Sequence, residues 1–175
     1  MLPELKSGAA LDPKDFRRAL GCFATGVTVV TTVAEDGRLV GLTANSFSSV
    51  SIDPPLVLWS LAKSSPSLAT FEKSGYFGIS VLAEEQLDLC NRFASPGGNK
   101  FAGVDYRMSE HGVPLLEGAL AHFECARSAI YPGGDHVILV GKVLAYAWGL
   151  GPVPLLFCQG QLSGVSSPAA LQKTA

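Results

Sequence analysis

The chain has 175 residues, 47% of them hydrophobic and only 16% charged, with a formal net charge of −2; that length supports one domain with a substantial core. The charge balance, with no run of Lys or Arg, argues against nucleic acid or an anionic membrane as a main partner, and the apolar content suggests a buried self-interface. No apolar run reaches the roughly 18–20 residues of a bilayer-spanning helix, and "MLPELKSGAALDPKDF" lacks the basic flank and apolar stretch of a secretion signal, so a cytoplasmic location is expected.

Residues 1–12 and 166–175 read as flexible ends on either side of a single domain, 13–165. "DPKDFRRALGCFATG" predicts a helix with Asp12 as N-cap and Pro13 at its first position, its apolar stripe being Phe16, Leu20 and Phe23. "GVTVVTTVAEDGRLVGLT" predicts a hairpin turning at Glu35-Asp36-Gly37, and "VSIDPPLVLWSL" a strand after a Pro-Pro corner. "SSPSLATFEKSG" predicts a short helix capped by Ser65, with Pro66 at its first position and Gly75 at its end. A strand over "YFGISVL" and a helix over "AEEQLDLCNRFA" follow, with Leu87, Cys90 and Phe93 facing inward. "SPGGNKFAGVDYRMSEHGVP" reads as loop. "ALAHFECARSAIY", "HVILVGKVLAYAWG" and "PLLFCQG" read as strands. Many strands in antiparallel succession with few helices predict a mainly β fold, a barrel with peripheral helices; the missing strand–G-x-G-x-x-G–helix unit disfavours a Rossmann domain.

The polar chemistry concentrates in a few places. Thr43, Asn45, Ser46, Ser48, Ser49 and Ser51 crowd hydroxyls and an amide beside a core strand. Such a row suits the edge of a flat heteroaromatic ligand, because uncharged donors and acceptors are less costly to bury than ions; it suits equally an edge strand facing water. Lys63, Ser64, Ser65 and Ser67 stand where a strand passes into a helix, a place for a phosphate or simply a cap. Asp135 and His136 follow a Gly-Gly turn at a strand's mouth, where His136 lines a pocket or decorates the turn; His122, in an apolar strand, reads as structural. Cys22, Cys90, Cys125 and Cys158 have no metal-ligand spacing and read as reduced core residues, so no metal is expected.

Taken together, "GVTVVTT", "GLTANSFSSVSIDPPLVLWSLAKSSPS", "FGISVLAEEQ", "RFA" before "KFAG", "GVPLLEGALAHFEC", "GDHVILVGKV" and "PLLFCQGQL" make residues 14–164 resemble the flavin reductase-like family, the short-chain NAD(P)H:flavin oxidoreductases of two-component monooxygenases. The resemblance implies a Greek-key split β-barrel that binds FMN or FAD, forms a homodimer and takes hydride from NADH or NADPH. It places Thr43, Ala44, Asn45 and Ser46, continued by Ser49, Val50 and Ser51, along the isoalloxazine. Lys63, Ser64 and Ser65 fall on the phosphate side, and Phe93, Ala94 and Lys100 in a loop closing over the ribityl phosphate. Thr25, Gly26 and Phe157 lie near the ring and the dinucleotide, and His136 on the nicotinamide side. Phe157 and Leu162 replace aromatics, one of them a Tyr, frequent in similar chains, which removes a hydroxyl from the dinucleotide side. The implied activity is flavin reduction for a partner oxygenase. A non-enzymatic flavin carrier and an oxidase of the pyridoxamine-phosphate type are the alternatives on the same barrel; the latter calls for a more basic phosphate cluster than Lys63 alone.

Overall fold

The structure, a computed structural model, describes Leu5, residues 12–149, Gly151 and residues 153–164. The flexible ends expected over 1–12 and 166–175 lie outside these residues, except for Leu5 and for Asp12, whose carboxylate accepts the Lys14 N–H at 2.8 Å and caps helix α1 (Pro13–Leu20). That helix buries none of its residues; Phe16, Leu20 and, just beyond, Phe23 are exposed.

The hairpin forms as its turn chemistry demands. Strands β2 (Thr28–Val33) and β3 (Leu39–Ala44) pair antiparallel. Gly37 sits at φ +83°, a conformation that costs a residue with a Cβ, and Asp36 accepts the Arg38 N–H at 3.0 Å. Strands β4 (Ser48–Ser51), β5 (Leu56–Ala62), β6 (Tyr76–Val81), β9 (Ala121–Gly133) and β10 (His136–Trp148) complete a seven-stranded antiparallel sheet in the order β3-β2-β6-β9-β10-β5-β4. The sheet curls so that Ser46, just past β3, meets Ser60 on β5: its Oγ accepts the Ser60 N–H at 2.9 Å and donates to the Ser60 carbonyl at 3.2 Å. A smaller sheet joins β1 (Thr25–Gly26), β11 (Leu156–Cys158) and β12 (Gln161–Ser163), and β7 (Tyr106–Met108) pairs with β8 (Pro114–Leu116).

Strand β2 is buried almost throughout, so its threonines need partners inside the protein. Thr28 donates to the Ala44 carbonyl at 2.7 Å, Thr32 to Tyr76 at 2.8 Å and Thr31 to Pro114. The valines between them feed two apolar clusters. Val30 joins Trp59, Phe71, Phe77, Ile79 and Leu139 on one side; Val27 and Val29 join Leu82, Phe93, Leu116 and Leu155 on the other.

Four local readings need correction. Helix α2 (Leu68–Lys73) starts later than expected, because Ser65 stays in a turn whose N–H bonds Ala62 at 2.9 Å; Ser67 and Ser74, not Ser65 and Gly75, flank the helix. Leu87 is exposed, since Glu84–Gln86 form a 3₁₀ turn before α3 (Leu87–Ala94) and rotate the buried stripe onto Cys90 and Phe93. The segment read as loop holds the β7–β8 hairpin, and "PLLFCQG" opens a second one, β11–β12; strands this short carry too little periodicity to read. Cys22 is exposed, not core. His122 is structural as expected, buried with Nε2 2.7 Å from the Leu116 carbonyl.

Beyond β7, the chain is anchored on Glu124, which is only 3% exposed. Its Oε1 accepts from the Ser109 hydroxyl, from the His111 N–H at 2.7 Å, and lies 3.1 Å from His111 Nδ1. Burial alone would push this carboxyl up, but the Ser109 hydrogen bond and then those of His111 hold it below its ordinary 4.5. Its stabilisation is therefore full above the unfolded value and lost as pH falls through the lower folded value. Glu124→Gln is expected to destabilise the protein by about 2 kcal/mol at neutral pH, the gap from wild type closing as the pH drops below 4.5. Denaturant unfolding of both proteins between neutral and acid pH reads this directly, and a gap independent of pH would remove Glu124 as the anchor.

Candidate functional site

A cleft of about 1160 Å³ runs along β3. This strand is an edge of the main sheet, so one side of its backbone faces the cleft instead of a neighbour. Residues 60–62, 65–67 and Thr70 form the opposite wall, and the end of α3 with the loop 95–101 covers the top.

Three contacts hold that cover on β3. Thr43 donates to the Cys90 carbonyl of α3 at 2.7 Å. Lys100 Nζ donates to the Phe93 carbonyl at 2.8 Å and to Gly41 at 3.4 Å. Phe93 and Phe101 pack edge to face at 5.0 Å over Gly41, where a Cβ would stand 2.6 Å from the Phe93 ring. Glycine is thus the residue that lets the aromatic pair reach the strand. Arg92 braces the loop from outside, donating to Ala102 at 2.7 Å.

The expected site residues divide. Thr43, Ala44, Asn45, Ser46, Ser65, Phe93, Ala94, Lys100 and His136 all line the cleft. Thr43 and Ser46 also hold the fold, as described, whereas the Asn45 side chain is exposed and has no partner among the described residues. Ser49, Val50 and Ser51 lie on edge strand β4, outside the lining. Lys63 and Ser64 are exposed in the turn after β5, where the Lys63 N–H donates to the Asp135 carbonyl at 2.9 Å. Thr25, Gly26 and Phe157 pair across β1–β11, away from the cleft, and Phe157 and Leu162 pack on the second apolar cluster.

Ser67, grouped with Lys63 in the sequence, also lines the cleft; sequence reasoning missed Arg38, Ser60, Thr70, Asn99 and Tyr106, which line it too. The two-residue period of β3 sets Gly41, Thr43 and Asn45 on one face and was a usable signal; the folding of Thr70 and Asn99 toward that strand was not.

The lining holds Arg38 and Lys100 but no Asp or Glu, although the chain has 15 acids against 13 basic residues. Burial pulls the Lys100 ammonium below its ordinary value. At the other end His136 Nδ1 lies 2.7 Å from Asp135 Oδ1; that hydrogen bond, then the His136 and Lys63 charges, holds the exposed Asp135 carboxyl below its ordinary value. The four cysteines are free. Burial raises the Cys90 thiol, and burial with the nearby Glu124 charge pushes Cys125 up to about 12, so neither is a ready thiolate. Among the described residues no cluster could hold a metal ion. The arrangement can grip an elongated, partly aromatic anion: uncharged polar groups and an imidazole at one end, cations toward the other.

Comparison with known proteins gives that cleft a context. A family model described as flavin reductase like domain matches residues 20–166. The chain is 46% identical over 156 residues to HsaB, the reductase subunit of a flavin-dependent monooxygenase in Rhodococcus jostii, covering 89% of this chain and 80% of that protein. It is 48% identical over 147 residues to SmoA, an FMN reductase (NADH) of Agrobacterium fabrum, covering 84% and 83%. A solved structure of SgcE6, an NADH:FAD oxidoreductase of Streptomyces globisporus, in complex with NAD and FAD fragments matches with a TM-score of 0.85 at 38% identity, over 93% of this chain and 99% of that one.

The contact of Gly41 with the aromatic pair yields a test. Gly41→Ala is expected to destabilise the protein by about 1–3 kcal/mol, since Phe93 is fully buried and must shift to admit the methyl. Faster amide exchange across residues 95–101 should accompany the loss; unchanged exchange would mean that the cover does not rest on this contact.

Proposed function

Because this chain belongs to the flavin reductase-like domain family, we propose that it is an NAD(P)H:flavin oxidoreductase, the reductase component of a two-component monooxygenase. It reduces FMN or FAD with NADH or NADPH and delivers the reduced flavin to a separate oxygenase. The observation that carries this reading is the acid-free cleft with its two cations. A flavin nucleotide combines a neutral ring with polar edges and an anionic tail, and the ring acquires negative charge on reduction. Relatives named as monooxygenase reductase subunits support the oxygenase partner.

The residues fit such a group. When bound, the flavin supplies a ring that accepts hydride from a reduced nicotinamide. The chain's own contribution is binding, alignment and exclusion of water. Asn45, free to donate and accept, can pair with the ring edge. Lys100, tied to the Phe93 carbonyl, keeps a positive charge under the loop. The Phe93–Phe101 pair and the loop above them shield the cleft. His136 stands at the cleft's mouth with Nδ1 engaged by Asp135, which fixes the ring and leaves Nε2 without a partner among the described residues; its role is to position the nicotinamide.

Two further assignments belong to this reading. Exposed Phe16, Leu20 and Phe23, and Leu144, Tyr146 and Trp148 on β10, support a homodimer. No helix among the described residues is long and apolar enough to cross a membrane, which supports a cytoplasmic enzyme.

Nicotinamide oxidation followed by absorbance, with FMN and FAD and with NADH and NADPH in turn, tests the function. Turnover that rises with added flavin is expected; a flavin-loaded protein that leaves the nicotinamide untouched would make it a carrier. In the same assay His136→Ala should slow flavin reduction by about tenfold or more while flavin affinity changes little. Unaltered reduction kinetics would remove His136 from the mechanism.

A further inference from the structure

The cleft does not end where its cover ends. Arg38 and Thr70, at its far end, also line a second groove of about 440 Å³ between the β2–β3 turn and α2. From Asn45 to Arg38 the strand runs seven residues, roughly 23 Å at strand spacing. Lys100 meets this strand at Gly41, three residues and roughly 10 Å of strand short of the Arg38 backbone. One phosphate seated at Lys100 therefore leaves Arg38 without an anion.

Arg38 can take one by giving up an exposed ion pair. Its Nε lies 3.7 Å from Asp36 Oδ2, its side chain is 66% exposed, and its terminal nitrogens have no partner among the described residues. The groove beyond carries Glu35 paired with Lys73 at 3.5 Å, and Asp36 beside Arg38. Val33, Ala34 and Ala69 give it apolar surface. A cation at the threshold of a partly apolar groove matches a phosphate followed by a nucleoside.

Resting on the flavin reading above, we infer that the groove holds the adenylate tail of FAD, with Arg38 on the second phosphate, and that the chain prefers FAD to FMN. Two kinds of molecule in the reaction carry an adenosine diphosphate tail, FAD and the nicotinamide dinucleotide. The groove is continuous with the covered cleft rather than with its His136 end, which assigns it to the flavin.

The test uses the full chain with FAD and FMN as competing acceptors, kcat/KM being measured for each at saturating NADH, and KM for NADH and NADPH with each flavin. Wild type should favour FAD. Arg38→Ala should lower the FAD-to-FMN ratio of kcat/KM about tenfold, as expected for loss of a charge-assisted phosphate contact. Arg38→Lys should restore part of it, since the charge remains without the planar fork, and Arg38→Glu should lower it further. Wild type that does not favour FAD overturns the inference without any variant. So does an equal loss for both flavins, which puts Arg38 on the first phosphate, or a rise in nicotinamide KM at a constant flavin ratio, which gives the groove to the dinucleotide. An unchanged ratio in Arg38→Ala likewise overturns it. Fluorescence titration of wild type separates the two readings: binding of neither flavin would sink the flavin site itself, whereas equal binding of both sinks only the groove.

Discussion

The bare Cα of Gly41 is the point on which the cleft depends. An edge strand left open would offer its backbone to any passing strand. Here the opening is roofed by α3 and its loop, and the roof can descend to the strand because Phe93 and Phe101 occupy the space a side chain would fill. Thr43, two residues on, then bonds Cys90 of the roof, and Lys100 of the roof bonds the Gly41 carbonyl itself. The result is a strand whose open edge is sheltered from solvent yet available to a ligand lying beside it. A flat ring needs such a place, because edge hydrogen bonds strengthen when water is kept away.

Polar groups hold this arrangement as much as apolar ones do. The buried threonines of β2 each send a hydroxyl to a backbone carbonyl of a different element, so this strand, next to the sheet's edge, is keyed to β3, β6 and β8. An apolar residue could fill the same volume but would leave those carbonyls unpaired. Glu124 acts similarly for the β7–β8 turn, gathering Ser109 and His111 on one oxygen. These bonds contribute direction, which hydrophobic contact alone does not supply.

How much of this is legible in the sequence follows from the range of each signal. The first helix, the Asp36-Gly37 hairpin and the long strands rest on caps, turn residues and periodicity within a few positions, and they are where the pattern puts them. The β7–β8 and β11–β12 hairpins rest on three-residue strands that are stabilised only by what they pack against. The hydroxyl-rich segment was legible as unusual, but not the division of labour inside it. Thr43 and Ser46 bond α3 and β5, Asn45 is free, and Ser49 to Ser51 sit on an outer edge. A side chain's partner across the fold cannot be read from its own neighbourhood. The same holds for Lys63 and Lys100: both looked suited to a phosphate, but only the second lines the cleft, because the loop 95–101 folds back over β3 while the turn at Lys63 points outward.

The chemistry left to the protein is narrow, and the placement of charge explains why. The thiols nearest the sheet are held protonated by burial, no carboxylate lines the cleft to act as a base, and the lone imidazole at its mouth is tethered to Asp135. Nucleophilic catalysis by a thiolate would need a cysteine, and none lines this cleft. A hydride passed between two bound cofactors needs none. It needs both rings aligned and a field that welcomes negative charge on the acceptor, and a lining with two cations and no carboxylate favours that field. Acids in a chain of net charge −2 are thus kept off one surface, the one where an anion has to be drawn in and where its ring must become more negative still.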